Sequence, residues 1–417
     1  MWAAGVRAKW FAQAWARRNL VAVIRDGVAH ANTLTARWAA ATDGEPTVLS
    51  GAGVWPLLAY LSSAADGVER AELEQAVGMP AASAVDAATE LLGLLRSAVG
   101  THAALGLWVH RLLTLHDAWL RTVPADTVEV LAGGDAVDAW VRKHTDGLLD
   151  GTSVPIDPDT LLVLATVLTV RTQWREPFLD GSLGIEDGPW AERQFAWLHR
   201  WTEDRDRLAV YETVHGQVTV LSVDGVSDIT VDLVLGEPDV PAGTVLATAI
   251  AAPGAGGPCR LGSQLTVADA PGLRMVSQDA AAKPRLYASV PRFTVSRAHD
   301  LLAVGEVFGL CSVARADRQR LPRMSDTPLA VGRACQELTA SFTAEGFVAA
   351  VSTRFEIALA GGRPTQWRDD VAIGFDRPFG FVVRHRPSGL VLLAGWVTEP
   401  DPPLPVREFS RGEDHDF

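Results

Sequence analysis

The stretch that most constrains this chain is EGFVAAVSTRFEIALAGGRP, residues 345–364. From Phe347 to Leu359 it alternates. Phe347, Ala349, Val351, Thr353, Phe355, Ile357 and Leu359 fall on one side, and Val348, Ala350, Ser352, Arg354, Glu356 and Ala358 on the other. Period two with a near-continuous apolar face is the pattern of a half-buried β-strand. At ~3.3 Å per residue such a strand would be roughly 40 Å long, where the usual strand has about five or six residues. Yet it runs straight into GGRPTQWRDD (361–370), which reads as an exposed loop. Any fold for this chain must set a strand-patterned segment at the entrance to a loop.

The rest of the chain bounds the answer more loosely. Its 417 residues are 48% hydrophobic, enough for two or three domains or one large interwoven one. The formal net charge of −13 argues against nucleic acid and anionic membrane as partners. Cys259, Cys311 and Cys335 are odd in number, widely spaced and without CxxC, so they read as free thiols. The N-terminus, MWAAGVRAKWFAQAWARRNLVAVIRDG, lacks the apolar run of a secretory signal. As written the chain is expected in the cytoplasm, with an extracellular location if the start is misassigned. Residues 1–30 read as a helical extension. The longest apolar run, LLVLATVLTV (161–170), is too short to span a bilayer and reads as a buried strand.

Residues 31–147 read as mostly helical, with helices at Trp55–Gly67, Glu69–Val77, Asp86–Val99 and Asp135–Gly147, the last closed by a glycine C-cap. From 161 the signal turns to strands: Leu161–Val170, Leu208–Thr213, Gln217–Val223, Thr230–Leu235 and Arg285–Val295, then 337–360 and 371–398. Ala298–Phe308 reads as a helix, 252–283 has no clear pattern, and 401–417 reads as a flexible tail. Helices early and strands late predict an α+β fold. No enzyme motif appears: GxSxG, HExxH, GxxxxGK[ST] and a strand-bound GxGxxG are all missing. PGAGGP (253–258) reads as a turn or loop. His110 and His116, six apart, sit on different helical faces. No catalytic residue, cofactor or metal is expected.

Glu345-Gly346-Phe347-Val348-Ala349-Ala350-Val351-Ser352-Thr353 resembles the hinge of the serpin family, the serine protease inhibitors. Other motifs follow in that family's order. They are Asp138-Ala139-Trp140-Val141 with Thr145 and Gly147, Leu161–Leu164 leading to Trp174-Arg175-Glu176-Pro177-Phe178, and Val290-Pro291-Arg292-Phe293 with Asp300-Leu301. Phe375-Asp376-Arg377-Pro378-Phe379 and Leu392–Val397 close the series. The chain is identified as a divergent, bacterial-type member, with the resemblance covering residues 46–400. It implies three β-sheets, eight or nine helices and a reactive-centre loop at about 345–370, within one domain over 31–400 that acts as a monomer.

The resemblance also implies a suicide trap. A serine protease, or a cysteine protease as a second class, cuts the loop. The loop then inserts into the main sheet as a new central strand before the acyl-enzyme is hydrolysed. Family spacing puts the reactive bond at Ala360–Gly361, or one register earlier at Leu359–Ala360, which suits an elastase- or subtilisin-like target. The shutter positions beneath the sheet fall on Ser50, Thr166 and Gln336. Here the chain departs from the pattern. Phe347 replaces a small hinge residue, and Val348 replaces an acidic one. Ser50-Gly51-Ala52-Gly53 replaces Ser-Pro-x-Ser, and Thr166 and Gln336 replace Asn and His. The segment from Gly361 to Phe375 is also longer than the family's. Burying Phe347 would yield roughly 1.5–3 kcal/mol, and overpacking a tight site costs typically about 1–3 kcal/mol. The alternative reading is a non-inhibitory serpin-fold protein that serves as a binding, carrier or chaperone-like module.

Overall fold

The structure is a computed structural model and describes residues 23–145, 147, 160–181, 188–191, 193–279, 283–348 and 367–403. Eight helices are present among the described residues: α1 (23–40), α2 (Gly51–Ala64), α3 (Gly67–Val77), α4 (Ala81–Ser97), α5 (Asp117–Leu120), α6 (Gly134–His144), α7 (Ala242–Ala255) and α8 (Gly305–Phe308). The first nine strands are β1 (Thr47–Leu49), β2 (Thr101–Val109), β3 (Val128–Val130), β4 (Leu162–Gln173), β5 (Leu179–Gly181), β6 (Trp197–Thr202), β7 (Leu208–Thr213), β8 (Gly216–Asp224) and β9 (Ile229–Gly236). The others are β10 (Cys259–Leu261), β11 (Leu273–Asp279), β12 (Leu286–Pro291), β13 (Phe293–Asp300), β14 (Cys335–Phe342), β15 (Gly346–Val348), β16 (Trp367–Gly374), β17 (Phe379–His385) and β18 (Leu390–Val397).

They form three sheets. A seven-stranded sheet runs β1-β18-β17-β9-β8-β7-β10, a five-stranded one β11-β16-β12-β6-β5, and a six-stranded one β13-β14-β15-β4-β2-β3. Every residue of β9 and β18 is buried; β18 reads accordingly as a continuous apolar run, while β9 also buries Thr230 and Asp232. The main hydrophobic core runs from Val28 to Val397 and joins all three sheets, while Val137 and Val141 of α6 pack in two smaller clusters on β2 and β4. The α+β architecture and the three sheets are as expected.

Local chemistry sets the helix ends. Ser50, in extended backbone, caps α2 by accepting the Gly53 N–H. Gly78 ends α3 in the left-handed region at φ +85°. At the end of α6 the cap is Thr145, whose N–H reaches the Val141 carbonyl; Gly147, expected as the cap, lies two residues beyond it, with its N–H on the Arg142 carbonyl.

Five expectations need correction. Of the exposed loop expected over 361–370, Trp367 to Asp370 are instead the first half of β16, paired with β11, and Asp370 is buried. The helical region 31–147 contains the nine-residue β2, whose alanines and glycine blurred its alternation. PGAGGP is not wholly a turn, because Pro253 to Ala255 close α7. Arg285–Val295 is two strands in different sheets, β12 and β13, parted at Arg292. The helix expected over Ala298–Phe308 shrinks to α8, since His299 and Asp300 still pair with Gln336 and Cys335.

Candidate functional site

The chain leaves β14 through a tight turn and comes straight back. The Thr343 N–H donates to the Gly346 carbonyl at 3.0 Å, and the Thr343 hydroxyl bonds the same carbonyl at 3.0 Å. Glu345 lies within this turn. Trp174 and Phe178 clamp the turn from outside. The Trp174 N–H donates to the Glu345 carbonyl at 2.8 Å, its indole N–H to the Thr343 carbonyl at 2.8 Å, and the Phe178 N–H to the Ala344 carbonyl at 2.8 Å. The polar backbone of a half-buried turn is thus satisfied by one short motif. Gly346 is needed for close approach, because a Cβ there would run into the Thr172 carbonyl oxygen.

Beyond the turn, Gly346 to Val348 form β15, a three-residue strand inside the six-stranded sheet. It pairs antiparallel with β14 (Phe342↔Phe347, Ser341↔Val348) and with β4 (Gly346↔Gln173, Phe347↔Thr172, Val348↔Arg171). Among the described residues no pairing joins β14 to β4 directly. The two strands flank a slot whose first rungs are filled by β15. Ala349, Ala350, Val351, Ser352 and Thr353 lie outside the described residues, as do Leu359, Ala360 and Gly361 of the expected reactive bond.

The Phe347 ring is 1% exposed and points to the core. It sits 6.2 Å from Phe381 (ring centroids) at the margin of an aromatic layer. In that layer Phe293 stacks on Phe342 at 5.5 Å and approaches Phe381 at 5.2 Å, while Trp174 lies 4.7 Å from Phe342. The bulky hinge residue is therefore matched by a bulky environment, and the feared overpacking is absorbed by partners far away in sequence.

The shutter residues meet at the N-terminus of α2. Gln336, on β14, accepts the Ser50 N–H at 2.8 Å and donates to the Ser50 carbonyl at 3.0 Å. Thr166, on β4, donates to the Gly53 carbonyl at 2.6 Å. The Ser50 hydroxyl donates to the Leu392 carbonyl at 2.6 Å and accepts the Gly53 N–H at 3.1 Å. Nearby, His299 bonds the Val48 carbonyl at 2.9 Å, and burial pushes its imidazole pKa down. The unusual residues at 166 and 336 thus rebuild a network that ties both flanks of the slot to one helix. Gly53, read in the sequence only as part of the altered segment 50–53, is a member too: a Cβ there would lie 3.2 Å from the Gln336 amide nitrogen and 3.7 Å from the Thr166 hydroxyl. The clamping role of Trp174 and Phe178 was equally hidden, although their motif was visible.

Comparison with known proteins agrees with this geometry. The family model "Serpin (serine protease inhibitor)" matches residues 29–185 and 256–400. Mouse plasminogen activator inhibitor 1 is 28% identical over 278 residues, 66% of this chain and 63% of the relative. The pig protein of the same name is 28% identical over 273 residues, 63% of this chain and 61% of its own. The matched segments therefore span somewhat under two thirds of these relatives, which are mammalian and give no support to a bacterial-type assignment. In fold, human thyroxine-binding globulin complexed with its hormone superposes with a TM-score of 0.66 at 16% identity, covering 92% of this chain and 99% of that one. Native protease nexin-1 with heparin gives 0.64 at 16% identity, with 91% and 100% covered. The match over most of its length, together with a hinge strand entering a sheet above an α2-centred shutter, makes this chain a member of the serpin family.

Proposed function

We propose that this chain is a suicide inhibitor of serine proteases that acts as a monomer. Its loop, about 345–370, is cut at Ala360–Gly361 or Leu359–Ala360 and then zips into the slot between β4 and β14. One observation carries the reading: in the uncut chain β15 already pairs with both flanks at a fixed register. Continued at that register, Thr353 falls opposite both Thr166 and Gln336. Val351, Phe355 and Ile357 would then face the core on the same side as Phe347. Each such side chain yields roughly 1.5–3 kcal/mol on burial, and the inserted strand gains ladder hydrogen bonds on both edges, alternate residues bonding opposite neighbours. The chain supplies bait and a downhill fold. The acyl-enzyme chemistry belongs to the protease.

The small apolar residues at 359–361 favour an elastase- or subtilisin-like target. The relatives' name points instead to a plasminogen activator, so both classes belong in the test. By likeness to those inhibitors we place the encounter outside the cell rather than in the cytoplasm. Among the described residues no helix is long and apolar enough to cross a membrane. A non-inhibitory binding role is the second reading. It is favoured by the fold likeness to a hormone-binding globulin and by a hinge whose first three residues are already seated.

The deciding experiment incubates the protein with a subtilisin, an elastase, a chymotrypsin-like and a trypsin-like protease, and a plasminogen activator. Denaturing gels and intact masses follow. A gel-stable adduct, and a released C-terminal peptide beginning at Gly361 or Ala360, are expected. Cleavage near 360 with neither an adduct nor a rise in the melting temperature of the cut protein would replace the trap with the binding role.

A further inference from the structure

The loop rejoins the fold at β16, and the sheet that receives it carries an unusual rim. β12 runs parallel to β16 (Leu286↔Val371), and β6 runs antiparallel to β12 (Tyr287↔Trp201, Leu286↔Thr202). These registers bring the start of β12 and the end of β6 to the same end of the sheet at which β16 begins. One face of these strands is core, with Leu198, Thr202, Leu286, Ala288 and Val290 all buried. The other face presents Trp201, 48% exposed, with the Arg285 guanidinium lying over its ring at 3.8 Å and Tyr287 beside it in register. The Arg285 Nε–H is buried and has no hydrogen-bond partner.

An indole held in the open costs solvation, and a guanidinium stacked on it fixes both in one geometry. Trp, Tyr and Arg are the residue types that dominate protein–protein binding hot spots. Position names the occupant. Trp201 lies two strand spacings from β16, about 10 Å, and its register partner is five residues, about 17 Å, from where the loop joins the strand. A protease domain of about 250 residues has a radius of gyration near 18 Å. From the expected bond to Trp367 the chain runs six or seven residues, at most about 24 Å, so a body of that size gripping the loop can reach this rim.

We propose that Trp201 and Arg285 form a docking site for the body of the target protease, separate from the bond it cuts. The contacting protease segment presents an apolar side chain to the indole and a carboxylate to Arg285. This inference rests on the reading of the loop as bait. It sets which protease is captured fastest, where the loop sets which bond is cut.

The test measures the second-order rate of loop cleavage or adduct formation across the protease panel, for the native protein, Trp201→Ala and Arg285→Glu. A free peptide spanning 349–366 serves as control. The fastest protease of the panel is expected to slow about tenfold or more on either variant, the others to change little, and cleavage of the peptide by that protease to show no comparable preference. Equal rates for native and variant proteins would overturn the docking site. So would equal slowing by every protease, since that marks damage to the stalk at β16. Arg285→Glu keeps the indole in place should Trp201→Ala fail to fold. A chain that is cut without forming an adduct sinks the trap reading but leaves this rate comparison intact.

Discussion

The two ends of the slot are built differently. At the top, β15 lies between β14 and β4, and Phe347 is sealed against the aromatic layer. Whatever free energy those three residues gain from the sheet is already gained before any protease arrives. At the shutter, the two flanks are tied down through side chains. There Gln336 and Thr166 each bond α2 rather than each other. On the proposed insertion, the top end is an anchor common to the uncut and cut molecules, and the shutter bonds are ones that an entering strand would rearrange. An anchor adds stability to both states and drives nothing, whereas a shutter sets a barrier.

Phe347→Ala would break this comparison most visibly. Truncating a fully buried Phe costs about 3–5 kcal/mol. If the ring is seated before cleavage, uncut and cut protein lose melting temperature in parallel, and the gap between them persists. Scanning calorimetry of both forms reads this directly. A loss confined to the cut form would mean that the hinge is not seated in the uncut molecule.

Gln336→Leu should give the opposite signature. It strips the partner from the buried Ser50 N–H, at a cost of roughly 1–3 kcal/mol. The uncut form should melt lower and the cut form should change less, because the bond is one that insertion disturbs. Loop–sheet polymers should also appear at a lower temperature on size-exclusion chromatography. Equal destabilisation of the two forms would make Gln336 an ordinary structural residue.

Gly53→Ser is a smaller and inverse test. It puts a hydroxyl among Gln336, Ser50 and Thr166, where the neighbours must yield by a few tenths of an ångström. A hydrogen bond of about 0.5–1.5 kcal/mol should raise the uncut melting temperature and slow insertion after cutting, as followed by the rate at which cut protein gains heat resistance. Unaltered insertion kinetics would detach this corner from the barrier.

Much of this was legible in the residues, and the rest was hidden for physical reasons. The alternation from Phe347 shows a strand because side-chain direction in a strand has period two. The closing pair β17 and β18 show as apolar runs because they are buried on both faces. What local pattern could not show is what a residue will touch. The gain and cost of burying Phe347 looked comparable until Phe381, 34 positions away, was found 6.2 Å from its ring and Phe342 opposite it in register. Gln336 looked like a lost histidine until Ser50, 286 positions away, was found holding both ends of its amide. The glycine and alanines of β2 concealed a strand whose partner, β4, supplies the bulk. The helix forecast at 298–308 failed because β14, absent from any local window, holds His299 and Asp300 extended.

The smallest expected effect concerns the cover over the slot's far flank. α6 lies on β2 and β4, where Trp140, Val163 and Ala165 pack against Trp108, Leu131 and Val137. At its last turn the His144 Nδ1 lies 3.5 Å from the His102 Nε2 of β2, with the rings stacked at 5.7 Å. Burial, then the charges of Lys143, His102 and Arg96, push the His144 pKa down, against a weaker upward pull from Glu129. A depressed pKa means that the unfolded chain binds the proton more readily than the folded one. The stabilisation is therefore complete above the unfolded value, about 6.5, and is lost as pH falls below it toward the lower folded value. His144→Gln should flatten that part of the profile: between pH 7.5 and 5.5 the native protein should lose more melting temperature than the variant. His199, His299 and His385 are shifted the same way and remain in both proteins, so their contribution cancels in the difference. Identical profiles would show that the last turn of α6 does not feel the proton. A difference present in the uncut form alone would tie α6 to the shutter, and one shared by the cut form would tie it to the anchor.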